Sequence, residues 1–344
     1  MRAVIQTGFG GPEVLSLTER PDPRPGPADV VVRVRACALN RLDLLQQRGP
    51  AVIPGFQLPH IAGMDIAGVV VEVGREVTRL ALDDLVVIDP AVGCGHCGTC
   101  RRGQAGCQDL RIIGANTDGG LADYVRVPAH AVHLLPPGLD VQDAALLPSS
   151  WATAWHAVFG AGRVMVDDQV LVHAAASAVS IAVVQLVHQA GARVIAVASS
   201  PAKRALAAEL GADLVLDSGD SDAEIAAAVL EATHGIGVDL VLDHVGSATW
   251  DQSLAVLRMG GRLVTIGNTS GDLVSLSLSS LFHRGVAVIG AGPYVPAEFE
   301  AVLASFVQNQ LRVVRAGRYP LAEAPTALQR LESRDLIGKL VIEP

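Results

Sequence analysis

The sequence lacks the features that place a protein in a membrane or on nucleic acid. Residues 1–8 have no apolar core of a signal peptide, and the apolar stretch 171–190 is interrupted by histidines and glutamines. The formal net charge is −9, and no basic patch offsets it, which argues against a nucleic-acid partner. We therefore expect a cytoplasmic protein that acts on a small molecule, with neither a membrane nor a nucleic acid as its partner.

Charged residues are also scarce, at 18% of the chain, whereas apolar residues make up 50%. This composition indicates a well-buried globular protein rather than a disordered one. Because single hydrophobic cores stop growing near about 250–300 residues, we expect the 344 residues to form two domains.

Cysteines are few, and four of the five lie close together. Their spacing of two, two and six residues lets the thiolates converge from one tight loop, which suits a closed tetrahedral zinc site. An iron–sulfur centre and four free thiols are the alternatives, and we favour one structural Zn(II) in a reducing cytosol. The predicted ligands are Cys94, Cys97, Cys100 and Cys107. His96 is then surplus to the site, and Cys37 is expected to be an inert core thiol.

The segment 170–217 has the alternation of a dinucleotide-binding unit. Its periodicity predicts strands at 170–173, 193–197 and 214–216, and helices at 181–188 and 203–210. A strand, a helix and a second strand of these lengths and spacing favour the first half of a doubly wound fold. The turn after the first strand would then face a pyrophosphate.

That turn, residues 174–180, contains no glycine. Alanine adds a methyl group there and costs roughly 1 kcal/mol wherever φ must be positive. The free amides of the following helix remain available for phosphate. The motif alone therefore leaves two interpretations open, a dinucleotide site and a purely structural βαβ unit. The cofactor contacts predicted in this turn are Ala176, Ser177, Ala178 and Val179.

The remaining chain divides into β-rich and mixed parts. Residues 1–36 alternate apolar and polar positions between turn signals, which indicates a small β-barrel-like module. Further elements are predicted in the second half: a helix at 149–159 that ends at Gly160, parallel strands at 238–243, 262–266 and 286–289, and a helical stretch at 254–257 closed by Gly260 and Gly261.

Together these motifs resemble the medium-chain dehydrogenase/reductase superfamily over essentially the whole chain. The matching segments are GMDIAGVVVEVG at 63–74, the cysteine lobe, and residues 147–155, 191–195, 211–213, 238–243, 260–264 and 338–341. The resemblance implies an α/β protein with a GroES-like β-barrel catalytic domain (1–148 and 292–344, zinc lobe 93–107) and a Rossmann doubly wound parallel-sheet domain (149–291). It also implies an active cleft between the domains and a homodimer formed through the sheet edge near 286–289.

The superfamily divides on the catalytic zinc. Its zinc-dependent alcohol dehydrogenases bind that ion with a cysteine, the histidine of a Gly-His-Glu motif and a third ligand. Here Asn40 stands at the cysteine's position, Met64 at the histidine's and Asp65 at the glutamate's. An asparagine and a thioether cannot supply the required ligands. The sequence therefore resembles the quinone oxidoreductase-like branch without catalytic zinc.

The resemblance also bears on the cofactor. An enzyme that prefers NAD places an acidic residue after the second strand, against the ribose hydroxyls, and Ala198 offers none. Hydroxyl and cationic partners for the 2′-phosphate of NADPH are offered by Ser199, Ser200, Lys203 and Arg204. The alternative is ordinary helix capping by Ser200 with solvated cations. We predict NADPH rather than NADH.

The predicted function is NADPH-dependent reduction of an activated C=C bond or a quinone, on an apolar, conjugated substrate. Without a catalytic metal, hydrogen-bond donors must stabilise the enolate oxygen. The resemblance suggests Asn40 as this donor, Asp43 as the residue that orients Asn40, and Thr153 as a contact of the nicotinamide. Structural roles are expected for His60, His156 and His173.

Two other functions stay open at this point. A non-redox descendant would have kept the fold and lost dinucleotide binding through the alanine-filled turn. A zinc-dependent alcohol dehydrogenase is the more distant alternative, because its ligands are missing.

Overall fold

A computed structural model of the protein describes residues 1–50, 53–333 and 335–344. The chain forms two compact units, one of Met1–Ser149 with Val295–Pro344 and the other of Ser150–Tyr294. The helices are α1 (Arg41–Arg48), α2 (Gly98–Arg101), α3 (Val141–Ala144), α4 (Pro148–Trp155), α5 (Ala178–Gln189), α6 (Pro201–Glu209), α7 (Asp222–Ala232), α8 (Trp250–Val256), α9 (Leu278–Arg284), α10 (Pro296–Gln308) and α11 (Ala324–Arg330).

The strands follow the same numbering along the chain. They are β1 (Arg2–Gln6), β2 (Leu15–Glu19), β3 (Asp29–Ala38), β4 (Asp65–Val73), β5 (Leu85–Ile88), β6 (Ala91–Val92), β7 (Arg111–Ile112), β8 (Tyr124–Pro128), β9 (Val132–Leu134), β10 (Gln169–Val172), β11 (Arg193–Ala198), β12 (Leu214–Asp217), β13 (Val238–Asp243), β14 (Leu257–Thr265), β15 (Ala287–Gly290), β16 (Arg315–Pro320) and β17 (Lys339–Glu343).

The first unit is built around the long strand β3. One edge of β3 pairs with β4, and the other is shared by β8 along its first half and β17 at its end. Alternating buried residues of these strands, such as Val32, Ile66 and Val125, join one hydrophobic core. At Ala38, the last residue of β3, the partners are Asp65 of β4 and Val341 of β17. Three segments that are distant in sequence therefore meet where β3 ends.

The second unit contains a six-stranded parallel sheet in the order β12-β11-β10-β13-β14-β15. This is the doubly wound order, in which the direction of winding reverses between β10 and β13. Strands β10, β11 and β13 read as nearly continuous buried aliphatic runs, as expected when both faces of a parallel sheet are covered. The predicted α/β class, with a β-rich module and a Rossmann-type sheet, is confirmed.

Two predicted elements differ in the structure. The helix that begins at Pro148 does not end at Gly160, because it continues as a π-helical segment, His156–Ala161, in which the Gly162 N–H donates to the Ala157 carbonyl at 2.9 Å. The glycine pair 260–261 does not close a helix but lies within β14. There, position 261 favours glycine because a Cβ would lie only 3.0 Å from the Arg258 carbonyl oxygen.

No helix in the described part of the chain combines the length and apolar character needed to cross a bilayer.

Candidate active site

The cysteine lobe brings its four predicted ligands together. The Sγ atoms of Cys94, Cys97, Cys100 and Cys107 all lie within 4.8 Å of one another. Backbone N–H groups point at the sulfurs, from Cys94 to Cys107 Sγ (3.3 Å) and from Cys97 to Cys94 Sγ (3.4 Å). Gly93 makes room for this loop, since a Cβ there would lie 2.8 Å from Cys100 Sγ.

This donor set fits a structural zinc ion. Zn–S bonds of about 2.3 Å in a tetrahedron place sulfurs about 3.8 Å apart, and Cys94 Sγ lies 4.0 Å from Cys100 Sγ. The hydrogen bond with the Thr99 side chain lowers the pKa of Cys97 to about 6. At Cys100 the Gly95 backbone lowers the pKa, but hydrogen bonds with the neighbouring thiols and burial outweigh it and raise the pKa to about 12. Without a metal the four thiols therefore do not ionise together, and binding of zinc would have to be coupled to loss of their protons. His96 is exposed and contacts the Cys94 carbonyl through Nδ1 (2.9 Å). The lobe could therefore hold one Zn(II) with four thiolates.

A second polar site lies where β3, β4 and β17 meet. We call it the Lys339 cluster, and it consists of Asn40, Asp65, Ser149 and Lys339. Lys339 Nζ donates to the Asn40 Oδ1 atom at 3.0 Å and forms an ion pair with Asp65 Oδ2. Ser149 donates both its backbone N–H (3.0 Å) and its hydroxyl (2.5 Å) to Asp65 Oδ1.

The ion pair of this cluster is removed from water. The side chain of Lys339 is 4% exposed and that of Asp65 is 0% exposed. A buried ion pair is tolerated only when both charges also have other hydrogen-bond partners, which Asn40 and Ser149 supply. The Nδ2 atom of Asn40 is a buried donor with no partner among the described residues. The cluster therefore contains one amide N–H, that of Asn40, without a partner among the described residues, and it lies on a side chain whose oxygen is bound by the Lys339 ammonium.

Sequence reasoning did not find Lys339. The sequence included this residue only in the segment 338–341 that resembles the superfamily, and 299 residues separate it from Asn40. The one available signal was a lysine at the first residue of the strand Lys339–Glu343, directly before three aliphatic residues.

Asp43 is buried beside this cluster. Its Oδ2 atom accepts a hydrogen bond from the Asn40 backbone N–H (2.7 Å), and its Oδ1 atom accepts one from the Gly63 N–H (3.1 Å). Asp43 therefore fixes the backbone of Asn40, whereas the side chain of Asn40 is held by Lys339. Met64 is also buried, at 8% exposure, and Asp65 has its carboxylate engaged by Lys339.

In the second unit, the glycine-free turn follows β10. Ala174 takes the positive φ (+47°) that favours glycine. Ser177 caps α5, since its Oγ atom accepts from the Ser180 N–H (3.2 Å). Ser180 is buried, and its hydroxyl donates to the His173 carbonyl (2.8 Å), which ties the first turn of α5 to the end of β10.

His244, at the end of β13, contacts both serines of this turn. Its Nε2 atom lies 2.8 Å from Ser177 Oγ and 3.1 Å from Ser180 Oγ. Because the Ser180 hydroxyl donates to His173, its oxygen must accept, and the Nε2–H tautomer of His244 follows. Burial lowers the pKa of His244 and keeps the ring neutral. Sequence reasoning placed His244 at a strand end without assigning it a role, because the contact joins residues 67 apart.

The other predicted cofactor contacts lie at the same edge of the sheet. Ser199 and Ser200 follow β11, which is parallel and adjacent to β10. Ser200 caps α6 by accepting from the Lys203 N–H (3.4 Å). Arg204 forms an ion pair with Asp217, so its guanidinium already has an anionic partner.

Thr153 belongs to the second unit, whereas Asn40 and Asp43 belong to the first. It is half-buried on α4, just before the π-helical segment. The three histidines expected to be structural have protein partners: His60 Nε2 contacts the Gly114 carbonyl (3.0 Å), His156 Nε2 the Ala291 carbonyl (2.7 Å) and His173 Nε2 the Ser253 hydroxyl (2.9 Å).

Comparison with known proteins agrees with this architecture. Residues 26–137 match the model of the alcohol dehydrogenase GroES-like domain, and residues 178–309 match that of the zinc-binding dehydrogenases. The chain is 30% identical to a quinone oxidoreductase of Pseudomonas aeruginosa, over 98% of this chain and 97% of that protein. It is 28% identical to an acryloyl-coenzyme A reductase of Sulfurisphaera tokodaii, over the full length of both.

Among solved structures, an NAD-dependent alcohol dehydrogenase superposes over 100% of both chains, with a TM-score of 0.95 and 36% identity. The family models, the full-length relatives and the doubly wound order of the sheet all point the same way. The chain belongs to the medium-chain dehydrogenase/reductase superfamily, with a GroES-like domain and a zinc-binding dehydrogenase domain, and is an oxidoreductase.

Proposed function

We propose that the protein is an NADPH-dependent reductase of an activated C=C bond or a quinone and that it works without a catalytic zinc ion. The observation that carries this proposal is the unpaired amide donor of Asn40, held beside the buried ammonium of Lys339. Two full-length relatives are named as reductases of such substrates, acryloyl-coenzyme A and quinone.

The absence of a catalytic zinc is supported by the chemistry of the Lys339 cluster. Asn40 and Met64 stand where zinc-dependent relatives have a cysteine and a histidine, and neither is a good zinc ligand. The Lys339 ammonium also occupies Asn40 Oδ1 and Asp65 Oδ2, the oxygen atoms that these two side chains would otherwise offer to a metal ion. Among the described residues, the only groups of three or more His, Cys, Asp or Glu that could hold a metal involve the cysteine lobe.

The proposed reaction needs a donor at the carbonyl oxygen of the substrate. When bound, NADPH would supply a hydride to the electron-poor carbon, and negative charge would develop on that oxygen. Asn40 Nδ2–H would donate to this oxygen in a site shielded from water, where preorganised donors are most effective. A proton from water then completes the reduction, at the neighbouring carbon of an activated C=C bond or at the oxygen of a quinone. Thr153, on α4, is proposed as a contact of the nicotinamide.

Dinucleotide binding is supported by the serines that replace glycine in the turn. In the Nε2–H tautomer of His244 the Ser177 oxygen accepts from the ring, which leaves the Ser177 hydroxyl hydrogen to donate to a phosphate. The N-terminus of α5 adds backbone N–H groups and its positive dipole end. The pyrophosphate contacts we propose are those of the turn and first helical residues, namely Ala176, Ser177, Ala178 and Val179.

The preference for NADPH is supported by the end of β11. Ala198 presents no carboxylate to a ribose, and Ser199, Ser200 and Lys203 are proposed as partners of the 2′-phosphate. Arg204, which the sequence also suggested as a partner of the 2′-phosphate, is left out of this proposal because it forms an ion pair with Asp217. Superfamily members use NAD(H) or NADP(H), and the choice of NADPH over NADH is our proposal for this protein.

A calorimetric titration of the purified protein separates this function from its alternatives. We expect saturable binding of NADPH that is tighter than binding of NADH, followed by oxidation of NADPH when an enone or quinone is added. Absence of a binding heat at millimolar NADPH would favour the non-redox alternative. That alternative arises because the turn has an alanine, Ala174, at a positive φ where glycine is favoured. Metal analysis is expected to give one zinc per chain, and two would contradict the reading of Asn40 and Met64.

We also propose that two copies associate through the open edge of the parallel sheet. Strand β15 is the last strand of that sheet. The helix before it exposes large apolar side chains, with Leu278 at 72% and Phe282 at 69% exposure. An edge strand next in sequence to a helix with exposed apolar side chains is typical of an interface.

A further inference from the structure

Lys339 is one of only two lysines in the chain, and the other is Lys203. Its buried side chain contacts both Asn40 and Asp65. We infer that Lys339 is a positioning residue, which fixes the side-chain amide of Asn40 so that Nδ2–H, and not Oδ1, is offered to the substrate oxygen. This inference rests on the proposed function, in which Asn40 is the donor.

The orientation of the amide follows from the hydrogen-bonding capacity of lysine. An ammonium group has three donors and no acceptor, so the oxygen of Asn40 must face it. Rotation of the amide by 180° would set Nδ2–H against the ammonium and lose the 3.0 Å bond from Nζ to Oδ1. The nitrogen is thereby left without a partner among the described residues. Lysine therefore determines which amide atom stays available.

Lys339 is itself held in place by a chain of contacts. Ser149 donates twice to Asp65 Oδ1, and Asp65 Oδ2 accepts from the ammonium. The Asn40 backbone is fixed separately, by the bond from its N–H to Asp43. The backbone N–H and the side-chain oxygen of Asn40 are thus each held by a defined partner, which is the condition for a preorganised donor.

The alternative is that the charge of Lys339 acts on the substrate directly. Three observations argue for positioning instead: the side chain is 4% exposed, its charge is neutralised by Asp65, and one of its donors is taken by Asn40. The two roles differ in one respect that can be measured. A positioning residue loses its effect when Asn40 is removed, whereas a direct electrostatic effect persists.

The kinetic test uses variants that change both buried charges together, so that neither is left unpaired. Lys339→Met with Asp65→Asn frees the amide, and free rotation between two orientations is expected to lower kcat about twofold to tenfold. Lys339→Glu with Asp65→Lys reverses the ion pair and demands the opposite orientation of the amide, because a carboxylate only accepts. This variant is expected to approach Asn40→Ala, for which loss of one oxyanion donor predicts about a 100-fold lower kcat.

The same pairs of substitutions are then made in the Asn40→Ala background. Positioning predicts no further loss of kcat there and unchanged NADPH affinity in every variant, with a melting curve to check that each variant is folded. Wild-type kcat in both the Met and Glu variants would overturn the inference. Losses that multiply with that of Asn40→Ala would overturn it as well, because they would indicate a direct role. If Asn40→Ala itself keeps wild-type kcat, the proposed function of Asn40 fails instead.

A second readout does not depend on activity. Selective ¹³C labelling of lysine gives two side-chain signals, and Lys203 serves as the internal control. Asn40→Ala removes the acceptor of Lys339 and is expected to shift the Cε signal of Lys339 only. A Lys339 signal that stays unchanged would show that the contact is absent in solution.

Discussion

Asp43 is a buried carboxylate whose two oxygens accept hydrogen bonds from the backbone N–H groups of Asn40 and Gly63. Burial, the largest effect, raises the pKa of Asp43 to about 7, although the two N–H groups oppose that shift. The charge of Asp65 raises the pKa further, and that of Lys339 lowers it. The sequence suggested that Asp43 orients Asn40, and the contact found is with its backbone.

The raised pKa of Asp43 predicts how stability depends on pH. Between its ordinary value of 3.8 and about 7, the folded state keeps a proton that the unfolded state has lost. This proton contributes its full stabilisation below about pH 4, and the contribution is lost as the pH rises to about 7. The free energy of unfolding therefore falls by at most about 4 kcal/mol over this range.

Asp43→Asn should therefore flatten the fall in unfolding free energy between pH 4.5 and pH 8, as measured by urea denaturation at about ten pH values. Asp272→Asn, at an exposed position, should keep the wild-type slope. An equal slope in Asp43→Asn and the wild type would show that Asp43 does not titrate in this range.

Among the elements, the turn after β10 carries a local strain. Ala174 lies in the left-handed region (φ +47°), which costs a residue with a Cβ roughly 1–2 kcal/mol. Glycine removes that strain but loses about 0.4–1 kcal/mol through the greater freedom of the unfolded chain. Ala174→Gly is therefore expected to raise the unfolding free energy by about 0.5–1 kcal/mol in a denaturant titration.

The matched control for this prediction is Ala176→Gly, at a position in the same turn without a positive φ. It should lower the unfolding free energy, because glycine there adds freedom to the unfolded chain and removes a buried methyl group. If both variants were destabilised alike, the strain assigned to Ala174 would be absent.

We expect the order of the cysteine lobe to depend on the zinc ion proposed for it. Cys97→Ala removes one of four ligands, and we expect the zinc content to fall from about one per chain to nearly zero, with loss of stability. Cys37→Ala changes a buried thiol of β3 outside the lobe and should leave the zinc content unchanged. Elemental analysis after gel filtration measures both. A full zinc content in Cys97→Ala would contradict the four-cysteine site.

At the scale of the whole molecule, the proposed homodimer depends on α9 and β15. Replacing Leu278 and Phe282 by Glu places two charges on exposed apolar positions of α9 and should convert dimers to monomers in analytical ultracentrifugation. Leu82→Glu alters an equally apolar residue, 58% exposed in the first unit, and should not change the oligomeric state. A wild-type protein that sediments as a monomer would contradict the proposal directly.

The sequence by itself determined the class of fold and the cysteine lobe. Buried strands and helices of a parallel sheet are encoded in local hydrophobic periodicity, and the β10–α5–β11 unit was predicted from that pattern alone. Three of the four cysteines lie within seven residues, so a single loop brings them together. The need for a positive φ in the glycine-free turn was also predictable, and Ala174 meets it.

Only the tertiary structure decided which polar side chains meet. Lys339 reaches Asn40 across 299 residues because β17 and β4 both pair with the end of β3. His244 reaches Ser177 because β13 lies beside β10 at the point where the winding of the sheet reverses. Periodicity records which residues are buried, but it carries no information about which distant strands become neighbours, and hydrogen bonds form only between groups within about 3 Å.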